Sequence, residues 1–295
     1  MFIFFLNRIF KLSIIFLLIG GVFFFWYKLL GGFRIDKIES FLPKKNLRSP
    51  NEKIEKILNG KFRYLDKGCQ AYVFVSDDQE YVLKIVRFSR YKVPFWMELV
   101  KWSKKGAEIK KRRESLKNRL LKMSLNSYEL AFEKLMDLTQ VEYVHLYDTD
   151  FFSNKIILTD CFQRKYKIDP NKTAFILQKK AFPLEKYLLQ CKKNNDMDKT
   201  KEILERFFLT AKNLLDRKIM NKDYNCIKNT GIIDGKIIYL DVGSFVENPN
   251  LENKEKYNHF LRYSSKYFKK WSYKNFPKML FYFEEAYEDN LKKVL

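Results

Sequence analysis

The chain has 295 residues, which is enough for one large domain or two small ones. Its 57 lysines and arginines against 35 aspartates and glutamates give a formal net charge of +22, which indicates either an anionic partner or a solvated basic surface. Four scattered cysteines and two histidines provide no zinc-binding spacing and argue against a histidine-based catalytic triad, and the cysteines fit a reducing compartment better than a disulfide framework.

The N-terminus carries an uncharged apolar run at residues 12–27, followed by Lys28 and further apolar residues to position 33. If Lys28 snorkels to the interface, the run exceeds the ~20 residues that cross a bilayer core. No small-x-small cleavage site follows, which favours a retained anchor over a secretory signal peptide. We expect a transmembrane anchor at residues 1–33 and a linker with a short helix at 34–60. Basic flanks on both sides leave the orientation open, although a cytoplasmic location of the remaining chain is expected.

Three β-strands are predicted next, at residues 61–65, 71–75 and 81–86, with a glycine-containing turn between the first two. Lys84 lies inside the third strand among apolar neighbours. A buried lysine is costly unless it meets an anion, so Lys84 either faces water from an edge strand or binds a negatively charged group.

Residues 87–123 are predicted to be largely helical and strongly basic, with ten basic and two acidic residues between positions 101 and 122. Such a helix can lie on anionic lipid headgroups, or it can be a solvated face. Nucleic acid is a less favoured partner, because residues 104–122 contain no aromatics and no base-reading motif. A second helix is predicted at 125–138, where Glu129 and Glu133 share a face.

The chain then alternates between predicted strands and helices. Strands are expected at residues 141–147, 155–163 and 173–179. Helices are expected at 183–192, 198–217, 259–271 and 276–291, and the second of these has apolar residues at helical spacing.

Three polar residues surround a predicted hairpin between positions 219 and 245. Asp223 and Asn229 precede two apolar runs that are joined by Asp234-Gly235, and Asp241 follows them. An Asp-Gly pair between apolar runs is a strong hairpin signal. Such a hairpin brings carboxylate and carboxamide oxygens together, which can hold a divalent cation and leave one aspartate to accept a proton. The alternative is that these residues only form turns.

The order of these motifs over residues 61–245 resembles the protein-kinase-like superfamily, including its small-molecule kinase branches. This resemblance implies an α+β, two-lobed fold with a five-stranded N-lobe at 61–180 and a compact helical C-lobe at 181–295. The basic stretch 87–123 would be an insertion in the N-lobe. No Ala-Pro-Glu triplet follows Gly243, which favours a small helical lobe over that of a typical protein kinase.

The resemblance also implies ATP and Mg²⁺ as cofactors and assigns a role to each motif residue. The residues expected to contact nucleotide or metal are Gly68 and Val73 in a phosphate-covering loop, Lys84 on the phosphates, Glu129 (preferred over Glu133) pairing with that lysine, Gln178 and Lys179 at the adenine, and Asn229 and Asp241 on Mg²⁺. Asp223 is expected to accept the proton of the acceptor hydroxyl.

Two functions follow from these expectations. The first is a membrane-anchored, ATP- and Mg²⁺-dependent phosphotransferase whose acceptor, protein or small molecule, is unknown. The second is a catalytically impaired pseudokinase that acts as a membrane-tethered scaffold. Departures from the family pattern favour the second: Asp66 and Ala71 stand at glycine positions, and Asn229 follows Asp223 by six residues, where the family has five. A third alternative is a lipid or nucleic-acid binder with coincidental motifs.

Overall fold

The computed structural model describes residues 2–29, 31–38, 49–252 and 254–292. Residues 39–48 of the predicted linker lie outside this range. The chain divides into two compact units. The first unit comprises Met1–Arg90 and Tyr147–Phe175, and the second comprises Tyr91–Leu146 and Ile176–Leu295.

The described residues form α-helices and β-strands throughout both units. The helices are α1 (Phe2–Leu29), α2 (Glu52–Leu58), α3 (Met97–Val100), α4 (Lys104–Lys134), α5 (Met136–Thr139), α6 (Leu184–Asn194), α7 (Met197–Asp216), α8 (Cys226–Asn229), α9 (Lys254–Asn275) and α10 (Met279–Lys292). The strands are β1 (Lys61–Lys67), β2 (Ala71–Ser76), β3 (Tyr81–Val86), β4 (Val141–His145), β5 (Ile156–Thr159), β6 (Lys165–Ile168), β7 (Phe175–Lys179), β8 (Phe182–Pro183), β9 (Ile219–Asn221), β10 (Thr230–Ile233), β11 (Lys236–Tyr239) and β12 (Phe245–Glu247).

The N-terminal residues form helix α1, but the predicted transmembrane anchor is not supported. Within the described ranges, no helix combines the length and the apolar character needed to cross a membrane. After α1, Phe33 is 2% exposed and packs against the rings of Tyr64, Tyr72, Phe74 and Tyr166, with centroids 5.2–5.7 Å away. This aromatic cluster attaches the segment after α1 to the sheet of the first unit.

The first unit is built on five strands in the order β3-β2-β1-β5-β6. Neighbouring strands are antiparallel except β1 and β5, which run parallel with Phe62 opposite Leu158. In the second unit β4 lies beside β7. Residues 61–180 therefore contain seven strands, so the predicted count of five strands in this part of the chain is too low.

Strand β6 was missed because the predicted strand 155–163 is interrupted by a turn. The Asp160 carboxylate accepts hydrogen bonds from the backbone N–H groups of Phe162 (2.9 Å) and Arg164 (3.0 Å), and from the Arg164 side chain (2.7 Å). Gln163 has a positive φ of 64°. A side chain that satisfies the turn amides ends β5 and starts β6 within a few residues.

Helix α4 is one continuous helix of 31 residues, whereas the sequence predicted a basic helical stretch within 87–123 and a separate helix at 125–138. The Ser103 hydroxyl caps its N-terminus by accepting from the Gly106 N–H at 3.0 Å. The helix ends at Lys134, and α5 follows as a separate short helix that closes with Gln140 in the left-handed region, at φ 54°. Glu129 therefore lies near the end of the basic helix.

The helical core of the second unit is rich in phenylalanine. Helix α7 confirms the predicted amphipathic helix, because its apolar stripe is buried against α9 and α10. Phe207, Phe208, Phe268 and Phe283 are each at most 3% exposed, and Phe268 stacks on Phe283 with ring centroids 5.1 Å apart. This core supports the short sheets β11-β10-β8 and β12-β9.

The predicted hairpin is confirmed as β10 and β11. Asp234 and Gly235 have φ values of 48° and 74°, as the two central residues of a type I′ turn require. The pairing of Thr230 with Tyr239 fixes its register. At Gly231 a Cβ atom would lie 2.9 Å from both the Cβ of Ala181 and the Phe182 carbonyl oxygen, so only glycine lets β8 pack this closely on β10.

Candidate functional site

The predicted site residues are distributed over both units. Gly68, Val73 and Lys84 belong to the first unit, and each has its environment there. The second unit contains the other six residues: Glu129, Gln178, Lys179, Asp223, Asn229 and Asp241.

In the first unit the turn between β1 and β2 is held by Arg87, a residue that no sequence motif marks. The Arg87 Nη1 donates to the carbonyl oxygens of Gly68 (2.8 Å) and Cys69 (3.4 Å), and its guanidinium lies 5.0 Å from the Tyr72 ring centroid. The Arg87 Nε is buried without a hydrogen-bond partner. The turn therefore has a fixed cation beneath it, although it lacks the additional glycines of the family motif.

Lys84 and Val73 are cross-strand partners on β3 and β2. Both side chains are half-buried, whereas Leu83 and Ile85 beside Lys84 are at most 1% exposed. Successive residues of a strand point to opposite faces, so Lys84 shares the less buried face with Val73. Lys84 is therefore neither fully exposed at a sheet edge nor fully buried.

In the second unit Asp223 lies in the loop between β9 and α8, within two consecutive side-chain turns. Its N–H donates to Asn221 Oδ1 at 2.9 Å, and its own Oδ1 accepts from the Asn225 N–H at 3.0 Å. The Oδ2 atom has no hydrogen bond to the rest of the described chain. The turn interpretation and the proton-acceptor interpretation are therefore compatible, because the turn uses only one carboxylate oxygen.

Asn229 follows Asp223 by six residues, one more than in the family pattern, and helix α8 accommodates the additional residue. Asn225 O accepts from the N–H groups of Lys228 (3.2 Å) and Asn229 (3.1 Å), which forms a single helical turn. The Nδ2 of Asn229 is buried without a partner. A buried amide nitrogen without a hydrogen-bond partner costs free energy.

Asp241 is brought next to Asn229 by the hairpin. The Leu240 N–H donates to Asn229 O at 2.7 Å, one step beyond the Thr230–Tyr239 pair. Asp241 Oδ1 accepts from the Gly243 N–H at 3.0 Å, and its Oδ2 has no hydrogen bond within the described chain. Both expected metal ligands thus lie at the base of one hairpin.

The donor set of Asn229 and Asp241 fits Mg²⁺. Both residues offer oxygen ligands, and Mg²⁺ commonly takes one or two protein ligands and completes its shell with water and phosphate oxygens. The described residues contain no group of three or more histidine, cysteine, aspartate or glutamate side chains suited to a metal ion.

Ser127 on α4 fixes the segment that follows Asp241. Its hydroxyl donates to Val242 O at 2.6 Å and accepts from the Phe245 N–H at 2.7 Å, and the residue is fully buried. No sequence motif marks this serine, because its partners lie more than 110 positions away. Two residues later, Glu129 is half-buried, whereas Glu133 is exposed.

The residues predicted to contact adenine have structural partners. The fully buried Gln178 donates through Nε2 to Thr139 O (2.5 Å) and Tyr239 O (2.9 Å). The Lys179 N–H donates to Gln140 O at 2.9 Å. A contact to a base from this strand would have to use other backbone groups, and the role of these two residues stays a prediction.

Aromatic rings and a small apolar cavity adjoin the Asp223 loop. The Tyr224 and Tyr263 rings lie 4.7 Å apart, and the His259 ring lies 5.4 Å from that of Tyr263. Asp223 also lines a cavity whose walls are mainly apolar side chains from α7 and β9. Burial raises the pKa of the Cys226 thiol in this cavity to about 12, which favours its protonated form.

Comparisons with known proteins give only remote similarities. No protein-family description and no curated protein matches the sequence. Among solved structures, the chain is similar to the bifunctional kinase-methyltransferase WbdD at 13% identity and a TM-score of 0.36, over 74% of this chain and 43% of that one. A second WbdD structure is similar at 14% identity and a TM-score of 0.33, with the same coverage of both chains.

WaaP in complex with acyl carrier protein is similar at 10% identity and a TM-score of 0.30, over 81% of this chain and 91% of that one. The chain spans less than half the length of WbdD. Since these three TM-scores lie below 0.5, the similarities do not assign the fold or the activity.

Proposed function

We propose that the chain is an ATP- and Mg²⁺-dependent phosphotransferase of the protein-kinase-like type. The observation that carries this proposal is the base of the β10–β11 hairpin. There, Asn229 Oδ1 forms no hydrogen bond within the described chain and Asp241 has a free carboxylate oxygen. The Asp223 carboxylate, also with one free oxygen, lies on the loop that leads to this point.

The three residues divide the chemistry between them. Asp223 Oδ2 is the atom that accepts the proton from the acceptor hydroxyl, while Oδ1 stays bound to the Asn225 N–H and keeps the carboxylate oriented. Asn229 and Asp241 would hold Mg²⁺, which neutralises charge on the transferred phosphoryl group. Lys84 of the first unit is proposed to bind phosphate oxygens, as its less buried position on β3 permits.

A thermal-shift titration of the full chain tests nucleotide binding. ATP with Mg²⁺ should raise the melting temperature, because a ligand that binds only the folded state stabilises by about 2.7 kcal/mol at a hundred times its Kd. Asp241→Asn should abolish the Mg²⁺-dependent part of this rise. The matched control is Asp234→Asn, which removes the same charge at the exposed hairpin turn and should leave the rise intact. No rise at millimolar ATP and Mg²⁺ would refute the proposal.

A pseudokinase remains the second candidate, and the engaged Lys179 N–H is the observation that favours it. Turnover separates the two candidates. Asp223→Asn should keep the thermal shift but lower the release of γ-phosphate from ATP by about 10²- to 10⁴-fold, since general-base catalysis contributes that much. If the unmodified chain binds ATP and releases no phosphate, the pseudokinase is the correct assignment.

A further inference from the structure

The second unit exposes a group of large apolar side chains just before the basic helix. In the segment 95–102, Phe95 is 83% exposed, Leu99 68% and Trp102 88%. Trp96 is also 53% exposed. Exposed aromatic clusters of this kind are uncommon on monomer surfaces and mark interaction sites.

This segment is anchored to the protein, so its exposed rings are held in place. Met97 is 1% exposed and fixes α3 to the unit. A Cβ on Gly106 would overlap the Val100 carbonyl, which shows how closely the segment packs on α4. Glu98 forms ion pairs with Lys101 (3.1 Å) and with Lys110 on α4 (2.6 Å).

The adjoining half of α4 carries a basic face. Helical spacing places five exposed cations within an arc of about 100°. They are Lys104, Lys111, Arg112, Arg119 and Lys122. None of the five forms an ion pair or a hydrogen bond with the described chain. The same arc contains one exposed carboxylate, Glu108, which forms no ion pair with them, so the face keeps an excess of positive charge that suits an external polyanion.

An apolar stripe lies beside the basic face on the same helix. Ile109, Leu116 and Leu120 are spaced at i, i+7 and i+11 and are 44%, 44% and 38% exposed. A soluble helix normally turns such a stripe inward, whereas a helix that lies in a membrane interface exposes apolar and cationic strips side by side.

We propose that segment 95–102 and the exposed basic and apolar strips of α4 form a docking surface for an anionic lipid bilayer. Tryptophan and phenylalanine insert at the headgroup level, and the unpaired cations are attracted to acidic lipids. A nucleic acid would bind the cations but would not bury the exposed stripe of Ile109, Leu116 and Leu120. This proposal is independent of nucleotide binding by the chain.

Tryptophan fluorescence of the full chain tests the location of binding. The chain has four tryptophans. Trp26→Phe, Trp96→Phe and Trp271→Phe together leave only Trp102, and its emission should shift to the blue and be quenched by brominated lipids in vesicles of phosphatidylcholine with about one third phosphatidylserine. In pure phosphatidylcholine the shift should be small. A companion variant that keeps only Trp271, a partly buried residue on α9, should show no shift with either vesicle.

A matched pair of charge variants tests the basic face by vesicle co-sedimentation. Lys104→Gln with Lys111→Gln should lower partitioning to anionic vesicles about thirtyfold, because each surface cation contributes about a factor of five. Lys186→Gln with Lys193→Gln removes the same charge from exposed positions of α6 and should leave partitioning nearly unchanged.

Four results would overturn the proposal. The first is that the chain sediments with the vesicles while the emission wavelength of Trp102 does not change, which would place binding elsewhere, for example on α1. The second is an equal loss from the α6 control pair. The third is a blue shift with RNA and none with vesicles, and the fourth is a concentration-dependent shift without lipid, which would identify a second copy of the chain as the partner.

Discussion

Replacing Ser127 with alanine removes a side chain that joins α4 to both Val242 and Phe245. The two hydrogen bonds, at 2.6 and 2.7 Å, are buried, and Val242 and Phe245 are themselves at most 2% exposed. The substitution therefore leaves one carbonyl and one N–H without partners in a place that water does not reach. At about 1–3 kcal/mol for each unsatisfied group, we expect a loss of about 3 kcal/mol in the free energy of unfolding.

The assay is urea denaturation of a graded series of serine-to-alanine variants on the same helix. Ser124→Ala removes one buried hydrogen bond, from Tyr91 at 2.8 Å, and should cost about 1 kcal/mol. Ser115→Ala is exposed and should cost nothing, or gain slightly from helix propensity. If Ser127→Ala is no more destabilising than Ser115→Ala, the argument that Ser127 fixes the segment after Asp241 is refuted. The same variant should also weaken the Mg²⁺-dependent thermal shift, because Asp241 loses its fixed position.

Three further substitutions test other parts of the structure. Gly231→Ala should lower stability by about 1–3 kcal/mol in thermal unfolding, because its Cβ would press on Ala181. Asp160→Asn should cost about 2 kcal/mol at neutral pH in urea denaturation. Burial tends to raise the pKa of Asp160, but hydrogen bonds from Arg164 and its other donors outweigh burial and hold the pKa below its usual value. Its contribution is therefore present above about pH 4 and lost as pH falls through the lower folded-state pKa, and this acid-dependent loss should be absent in the variant. Arg87→Ala should speed proteolysis of the β1–β2 turn, because the carbonyls of that turn lose their donor.

Each of these variants has a control in the same chain. Gly21→Ala introduces a methyl group into open space within α1 and should not destabilise. Asp150→Asn and Arg262→Ala change the same residue types at exposed positions. A control that behaves like its partner would show that the effect comes from the residue type and not from the contacts described.

Local signals in the sequence were sufficient for part of the fold. The Asp234-Gly235 turn and the stripe of α7 depend on neighbouring residues, so the β10–β11 hairpin and that helix could be predicted. Strand β6 was missed because the decisive interaction is a side-chain cap by Asp160, which looks like any aspartate in a sequence. The continuity of α4 was missed because a change from basic to apolar composition resembles a boundary, although no helix breaker lies there.

The candidate site was predictable only where motif residues are close in sequence. Asp223, Asn229 and Asp241 lie within one short span, and the hairpin confirms that Asn229 and Asp241 are neighbours. Ser127 and Arg87 were not found, because their roles arise from contacts between distant segments and from backbone carbonyls that carry no sequence signature. The sequence also did not predict that the additional loop residue is taken up in a turn of helix, because this turn depends on hydrogen bonds to the Asn225 backbone carbonyl.

The uninterrupted helix α4 connects two distant parts of the second unit. At 1.5 Å per residue, about 35 Å of helix separates Lys104 from Ser127. No loop or break interrupts the hydrogen-bonded backbone between these two positions. Ser127 holds the backbone on either side of Gly243. The basic face and the contact with the segment after Asp241 therefore belong to one continuous helix.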